Sequence, residues 1–182
     1  MGRHLAELET CTLCGLWSTR QRVVVGTGPD DARLVVIGEA PGRNEDEGGA
    51  PFIGRSGQLL FRLIEEELGL TREQCFVTNV VKCRPPGNRT PTREEIETCR
   101  PWLVVQLTAV TAKVVLLLGN TASRSVLGVK DGIGGRHGQV VALGDKSAVA
   151  TYHPAAALRG GPSVVRVMRE DLGVVGDLLG RS

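Results

Sequence analysis

The chain has 182 residues and a formal net charge of +2, with 41% hydrophobic and 23% charged residues, values that fit a globular protein with a core and exclude wholesale disorder. A charge this small does not by itself indicate nucleic-acid binding. The chain has 18 arginines and 4 lysines, and this preference for arginine gives only weak support for phosphate contacts. No apolar run approaches the ~20 residues of a membrane helix and no signal peptide is evident, so we expect a cytoplasmic protein without a membrane partner.

The N-terminal part of the chain predicts a helix, a cysteine knuckle and one strand. Residues 1–9 favour a short helix, and Cys11 and Cys14 follow as a Cys-x-x-Cys knuckle. Residues 33–37 are predicted as a buried strand of a parallel sheet, because their apolar run ends in a loop of glycine, proline and one acid. In open α/β sheets, ligands bind at such loops.

The middle of the chain predicts two helices around a second strand. Residues 43–54 form a polar, glycine-rich excursion whose one aromatic residue has no obvious core to join. Residues 56–68 carry leucines at helical spacing and predict a helix. Residues 75–81 predict the second strand, and the prolines at 85 and 86 end regular structure. Residues 92–107 suit a helix with acids in its first turn.

The C-terminal part predicts two more strands and a closing helix. Residues 113–118 and 148–151 are the expected third and fourth strands, and a short helix after the third ends at Leu127. Residues 131–138 are glycine-rich and basic and resemble a flexible surface loop, whereas residues 163–179 form the closing helix. Strands that alternate with helices predict a parallel sheet with helices on both of its faces.

Each predicted strand is followed by polar residues. These residues are Glu39, Asn79, Asn120 and His153. The carboxyl ends of parallel strands meet at one edge of a sheet, so we expect Glu39, Asn79 and His153 to face a single cleft. Each of them alone would more often be a helix cap or an ordinary surface residue, so the prediction of a site depends on their convergence.

The spacing of the cysteines is a second informative pattern. Cys11 and Cys14 are joined by two distant candidates, Cys83 and Cys99. In a cytoplasmic chain such cysteines favour a metal site or chemistry over disulfides. Four thiolates suit zinc and an iron–sulfur cluster equally, so the spacing leaves both open. Cys75 lies in an apolar run and is expected in the core.

Four motifs, taken together with these cysteines, resemble those of a known enzyme family. They are Gly38-Glu39-Ala40-Pro41-Gly42, Pro51-Phe52-Ile53-Gly54, Thr78-Asn79-Val80-Val81-Lys82-Cys83-Arg84-Pro85-Pro86 and His153-Pro154-Ala155. Over nearly the whole chain the set resembles family 4, the iron–sulfur type, of the uracil-DNA glycosylases. The resemblance implies a single domain over residues 1–182 with a three-layer α/β/α fold around a four-stranded, mostly parallel sheet. It also implies a structural [4Fe-4S] cluster, held by Cys11, Cys14, Cys83 and Cys99.

The resemblance further implies a reaction. Members of this family hydrolyse the N-glycosidic bond of deoxyuridine in single- or double-stranded DNA after flipping the nucleotide, and so start base excision repair. The implied catalytic residues are Glu39, His153 and Asn88. The implied uracil-binding residues are Ala40, Glu45, Phe52, Asn79 and His153. In this assignment Phe52 stacks on uracil, Asn79 reads its edge and His153 stabilises the departing anion, and we expect a monomer because one small pocket suffices.

Two alternatives to a hydrolytic glycosylase stay open. Relatives that bond covalently to DNA carry glutamine where this chain has Ala40, and a nucleophilic histidine in a basic insertion, so Ala40 argues against them while Arg136 and His137 keep them open. The other alternative is a non-catalytic iron–sulfur module that binds DNA, which would not need a pocket for a flipped base.

Many glycosylases of this fold have aspartate or asparagine at the position of Ala40, where it activates the attacking water. Ala40 therefore implies that the water is positioned and not strongly deprotonated.

Overall fold

The computed structural model describes residues 7–180, and a five-stranded sheet forms its centre. The strands are β1 (Leu34–Gly38), β2 (Cys75–Asn79), β3 (Val114–Leu118), β4 (Val140–Leu143) and β5 (Lys146–Thr151). Their order is β2-β1-β3-β5-β4, with β4 antiparallel to β5 and the other pairs parallel. The predicted mostly parallel α/β fold is confirmed, and the sheet has five strands instead of the four expected.

Helices connect these strands on both faces of the sheet. They are α1 (Arg43–Gly48), α2 (Arg55–Leu68), α3 (Arg93–Ala109), α4 (Gly119–Leu127), α5 (Pro154–Gly160) and α6 (Pro162–Leu179). Residues 7–9 are also helical, and the rest of the helix predicted for residues 1–9 lies outside the described residues. In residues 7–180 we find no helix with the length and apolar character needed to cross a membrane.

Two hydrophobic cores lie on opposite faces of the sheet. Leu34 and Val36 of β1 belong to the core that includes the buried residues of α2 and α6. Val35 and Ile37 belong to the other core, which includes Leu103 of α3. Side chains alternate between the faces of a strand, so a strand covered on both sides needs apolar residues throughout. This explains the continuous apolar run of β1 and gives the three layers.

β4 is the strand that the sequence analysis missed. Its residues alternate between exposed and half-buried, as expected for an edge strand with one face toward water. A two-residue turn, Gly144-Asp145, joins it to β5, and Gly144 has a φ of 61°. A glycine at the first position of such a turn is typical of a tight hairpin. Because β4 is half exposed, it lacks the continuous apolar run that marks the central strands.

The excursion at residues 43–54 is packed against the rest of the protein. Its first half forms α1, whose buried Asp46 accepts hydrogen bonds through Oδ1 from the backbone N–H groups of Gln21 and Arg22. Phe52 is only 6% exposed and belongs to the core shared by β1 and α2. The expectation that this aromatic residue has no core to join is therefore wrong.

The loop predicted at residues 131–138 is also attached to the body of the protein. Ile133 is buried, and Gly138 donates a backbone hydrogen bond to Ala150 of β5. His137 Nδ1 lies 3.0 Å from Oδ1 of Asp171 on α6. The loop is thus packed at its centre and at its end, whereas the sequence suggested a flexible surface loop.

The segment before β1 covers the outer edge of β2. Thr27 pairs with Val77 through two backbone hydrogen bonds of 2.9 and 2.7 Å. Gly28 follows with a φ of 132°, and a Cβ atom there would lie 2.2 Å from the carbonyl oxygen of Cys75. An uncovered strand edge invites pairing with other chains, so this contact protects the sheet and requires glycine at position 28.

We expect Gly28→Ala to lower the free energy of unfolding by about 2 kcal/mol or more, because the positive φ and the close backbone both oppose a side chain. Urea unfolding followed by circular dichroism measures this change. Gly173→Ala in α6 is the matched control, since its added Cβ meets no atom within 4 Å, and it should be neutral or mildly stabilising. Equal stability of Gly28→Ala and wild type would contradict the prediction.

Candidate active site

A cleft of about 750 Å³ opens at the carboxyl edge of the parallel strands. The loops after β1, β2, β3 and β5 all contribute to its walls. Every non-cysteine residue proposed for the site lines it, namely Glu39, Ala40, Glu45, Phe52, Asn79, Asn88 and His153. The fold therefore brings together side chains that lie more than one hundred residues apart in the sequence.

Glu39 stands directly after β1, where the order of the strands reverses. Its Oε2 accepts a hydrogen bond from the hydroxyl of Thr121, near the start of α4. This bond links the loop after β1 to the loop after β3, across the crevice in which open α/β sheets bind ligands. Thr121 was not among the predicted site residues, although it belongs to the polar run that ends β3.

Phe52 reaches the cleft from a strained loop between α1 and α2. Its φ of 55° is uncommon for any residue other than glycine. The centroids of the Phe52 and His153 rings lie 5.9 Å apart, with 31° between the ring planes. A Cβ atom on Gly38, the last residue of β1, would lie 2.4 Å from both Phe52 Cζ and Asn79 Oδ1. Gly38 thus allows the ring and the amide to meet above the backbone.

Asn79 ends β2 with a buried amide. The residue is 2% exposed, and its Oδ1 has no hydrogen-bond partner in the described part of the chain. A buried polar atom without a partner costs roughly 1–3 kcal/mol, so such an atom in a cleft indicates a ligand that completes the bond. The amide offers one acceptor beside two donors, which fits a ligand edge with a donor next to an acceptor.

A fully buried lysine holds the backbone of Asn79 from behind. Lys82 Nζ donates to the carbonyl oxygen of Asn79 at 2.6 Å, to Thr78 Oγ1 at 2.6 Å and to Gln106 Oε1 at 2.7 Å. Three acceptors satisfy the three N–H groups of an ammonium, even though burial lowers the pKa of Lys82 to about 7. The network connects the end of β2 to α3 and so fixes the orientation of Asn79.

Glu45 lines the cleft, but its carboxylate is engaged with the backbone. Oε2 accepts a hydrogen bond from the N–H of Gly42 at 3.1 Å, and Oε1 accepts one from the N–H of Gly54 at 2.8 Å. One buried side chain therefore holds both the loop after β1 and the loop that carries Phe52. The geometry gives Glu45 a positioning task that the sequence alone did not indicate.

His153 follows β5 and caps α5. Its Nδ1 accepts a hydrogen bond from the N–H of Ala155 at 3.2 Å, so the proton of the neutral ring lies on Nε2. Burial lowers the pKa of His153 to about 4, with a smaller lowering from Arg159. Gly119, with a φ of 82°, allows this approach, since a Cβ there would lie 3.0 Å from His153 Cβ. At neutral pH the ring is an uncharged N–H donor.

Asn88 and several arginines lie at the mouth of the cleft. Asn88 is exposed, has a φ of 55° and accepts a hydrogen bond from Arg84 Nε at 2.7 Å through Oδ1. Arg124 and Arg159 are exposed and line the same cleft. Guanidinium groups suit phosphate oxygens, so the mouth fits a polyanion. Sequence reasoning missed Arg159, whose signal was its place shortly after the strand-end histidine.

The four candidate metal ligands meet at a second, small pocket. Cys11, Cys14, Cys83 and Cys99 all line it, and Arg20 lies against them. Arg20 Nη1 donates to Cys83 Sγ at 3.4 Å and to the carbonyl oxygen of Cys11 at 2.7 Å. Within residues 7–180 no group of three or more His, Cys, Asp or Glu residues is arranged to hold a metal ion.

The donor set of this pocket is four cysteine sulfurs, which suit a zinc ion and an iron–sulfur cluster alike. A zinc ion draws four sulfurs to about 2.3 Å from a single point, whereas a four-iron cluster spreads its thiolates over separate irons. Hydrogen bonds to the sulfurs, such as the one from Arg20, are common around such centres. Cys75 lies apart in the core, where burial raises the pKa of its thiol to about 12.

The sequence also matches a known family. The family model described as the uracil DNA glycosylase superfamily matches residues 25–172. The chain belongs to this superfamily. The Type-4 uracil-DNA glycosylase of Saccharolobus solfataricus is 42% identical over 181 residues, which is 95% of this chain and 83% of that protein. The Type-4 enzyme of Thermotoga maritima is 43% identical over 168 residues, 91% and 87% of the two chains. That of Archaeoglobus fulgidus is 39% identical over 183 residues, 96% and 91%. The resemblance inferred from the motifs is confirmed.

We expect His153 to titrate near pH 4, where its imidazole first takes up a second proton. The unfolded chain takes up this proton near pH ~6.5, so the stability that the neutral ring contributes is complete above that pH and is lost as the pH falls toward 4. ¹H–¹⁵N NMR of the imidazole nitrogens measures the midpoint and the tautomer, with His153→Ala to identify the signals of this ring among those of the three histidines. A midpoint near 6.5, or a proton on Nδ1 of the neutral ring, would contradict the prediction.

Proposed function

We propose that the chain is a uracil-DNA glycosylase, which hydrolyses the N-glycosidic bond of deoxyuridine in DNA and starts base excision repair. One observation carries the proposal: the unpaired, buried amide of Asn79 shares a cleft with the Phe52 ring and a neutral His153. Family membership supports it, since relatives named Type-4 uracil-DNA glycosylase match most of the chain.

Asn79 selects uracil by its hydrogen-bonding edge. Uracil presents an N3–H donor beside the O4 acceptor, so Oδ1 of the amide accepts from N3–H and Nδ2 donates to O4. Cytosine presents an amine and an unprotonated N3 at the same positions, so both contacts are lost and the amide stays unpaired. Phe52 stacks on the base and contributes roughly 1–3 kcal/mol.

The target nucleotide reaches the cleft by leaving the DNA stack. A base inside a duplex is out of reach of groups at the end of a sheet, so the nucleotide rotates out at a cost of a few kcal/mol. Arg124 and Arg159 at the mouth contact the phosphates around it. Single-stranded uracil, which needs no unpairing, enters by the same route.

The chemical step separates charge between sugar and base. The glycosidic bond breaks with its electron pair on uracil, which leaves as an anion, while the sugar becomes oxocarbenium-like. His153 donates its Nε2–H to the base oxygen on which charge develops, and backbone N–H groups near Ala40 assist. A donor of this kind is typically worth about 10²–10³ in rate.

Water completes the reaction on the sugar side. Glu39, held by Thr121, lies where its charge stabilises the cationic sugar and orients the attacking water. We also propose Asn88, at the mouth of the cleft, as a catalytic residue. Ala40 presents only a methyl group, so the water is positioned and not strongly deprotonated. The water oxygen bonds to the sugar carbon, its proton neutralises uracil, and an abasic site remains.

Two observations favour hydrolysis over the alternatives. Among the described residues that line the cleft His137 does not appear, and its Nδ1 faces Asp171, so it is not placed to attack the sugar. A non-catalytic DNA-binding module would have no use for a buried, unpaired amide beside an aromatic ring. Covalent crosslinking to DNA would instead give a protein–DNA adduct that survives denaturation.

We further propose that Cys11, Cys14, Cys83 and Cys99 hold a [4Fe-4S] cluster. Their shared pocket and the arginine against one sulfur support it. The cluster would act as a structural crosslink between the N-terminal knuckle, the loop after β2 and α3, and hydrolysis needs no electron transfer.

We also infer where and in what form the enzyme works. Reduced thiols persist in the cytoplasm, where its DNA substrate also lies, so we place it there. Because one small cleft suffices for a single flipped base, we infer a monomer that acts as a single domain over residues 1–182.

We expect wild-type protein to release uracil from single-stranded, U:A and U:G oligonucleotides and to leave cytosine in place. His153→Ala should slow single-turnover cleavage by about 10²–10³ while it still binds uracil DNA in a gel shift, because its contact strengthens in the transition state. Alkali-induced strand scission measures the rate.

Two results would contradict this assignment. One is cleavage by His153→Ala at the wild-type rate. The other is a wild-type protein–DNA adduct that survives denaturation and disappears in His137→Ala, which would assign the chain to the crosslinking relatives.

We expect purified protein to be brown, with iron and sulfide each near four per chain. Cys83→Ser should lose most of the iron, whereas Cys75→Ser, the matched control in the core, should keep it. Colourless protein with one zinc ion per chain would contradict the cluster, and loss of iron in Cys75→Ser would show that the ligands are wrongly assigned.

A further inference from the structure

The conformation of Phe52 depends on contacts outside the cleft. The φ of Phe52 is positive, and a positive φ at a bulky residue is strained and persists only where the surroundings impose it. Arg72, in the short turn Arg72–Gln74 before β2, supplies two such contacts. Its Nη1 donates to the carbonyl oxygen of Phe52 at 3.2 Å, and its Nη2 donates to that of Pro51. The two terminal nitrogens of one guanidinium therefore donate hydrogen bonds to consecutive carbonyl oxygens of the strained loop.

Arg72 is itself held in place. Its guanidinium carbon lies 4.6 Å from the centroid of the Phe61 ring on α2, a cation–π contact. The side chain is half-buried, and burial lowers the pKa of Arg72. A cation in such a position needs hydrogen-bond acceptors, and the carbonyls of Pro51 and Phe52 provide them. The arginine and the loop thus stabilise each other.

The rest of the loop is equally constrained. Glu45 fixes the N–H of Gly54, two residues after Phe52. A Cβ atom on Gly57 of α2 would lie 1.8 Å from the carbonyl oxygen of Phe52, so the helix backbone packs directly against it. Glu45, α2 and Arg72 therefore all hold the backbone around Phe52, whose ring lies opposite His153.

We propose that Arg72 is a positioning residue for uracil excision, whose guanidinium fork presets the Phe52 ring in the orientation that stacks on the flipped base. The inference rests on the proposed function. Among the described residues that line the cleft Arg72 does not appear, so its effect on the base passes through Phe52. None of the motifs quoted from the sequence contains it. Lysine can replace it only in part, because an ammonium lacks the planar fork that matches two neighbouring carbonyls.

The kinetic test is a double-mutant cycle on single-stranded uracil DNA. We expect Arg72→Met to raise KM about 10-fold with little change in kcat, and Arg72→Lys to recover only part of this loss. In a Phe52→Ala background, Arg72→Met should add less than about 2-fold, because the ring through which it acts is gone. Arg62→Ala, an exposed arginine on α2, is the matched control and should behave as wild type.

Two kinetic outcomes would overturn the proposal. If Arg72→Met lowers activity equally with and without Phe52, the arginine supports the fold and not the ring. If Arg72→Met matches wild type, the fork is dispensable.

A second readout needs no activity, so it separates this inference from the proposed function. In free protein, NMR should detect nuclear Overhauser effects between the Phe52 and His153 rings, whose centroids are 5.9 Å apart. These should weaken or vanish in Arg72→Met and persist in Arg62→Ala. Unchanged ring contacts in Arg72→Met would refute positioning, whereas inactivity of wild type on uracil DNA would refute only the glycosylase assignment.

Discussion

The reversal of strand order at β1 is the constraint on which the site depends. β2 lies on one side of β1 and β3 on the other, so the loops that leave β1 and β3 diverge and a crevice opens between them. The hydrogen bond from Thr121 to Glu39 spans this crevice. β1 is buried on both faces, so its end cannot shift without disturbing both hydrophobic cores. This fully buried strand thus fixes the place where the substrate must fit.

Charged side chains in and around the cleft keep its contact groups in place. Lys82 donates a hydrogen bond to the backbone carbonyl of Asn79, and Glu45 accepts one from the N–H of Gly54. Arg72 donates to the carbonyls of Pro51 and Phe52. Each one satisfies buried backbone groups that a loop would otherwise leave unpaired. With the backbone fixed, the amide of Asn79 stays ready for a base instead of turning to an internal partner, so its groups need little rearrangement when the substrate arrives.

The sheet and the location of the site could be predicted from the sequence, and much of the local geometry could not. Residues 34–37 and 114–118 are continuous apolar runs with polar residues after them, which is the pattern of a doubly covered parallel sheet. β4 could not be recognised from an apolar run, because it is half exposed. The Gly144-Asp145 turn between two apolar stretches is nevertheless a usable signal for a hairpin. The burial of Phe52 depends on Gly38 and Gly57, which meet it only in the folded chain. For the same reason the hydrogen bonds from Arg72 to this loop could not be predicted from the sequence.

A crystal structure of the protein bound to DNA with a deoxyuridine analogue whose glycosidic bond resists cleavage would show how the cleft holds its substrate. We expect a flipped uracil stacked on Phe52, with N3–H and O4 bonded to the Asn79 amide and O2 facing Nε2 of His153. A base that stays in the helix, or that enters the cleft with Asn79 Oδ1 still unpaired, would contradict this expectation.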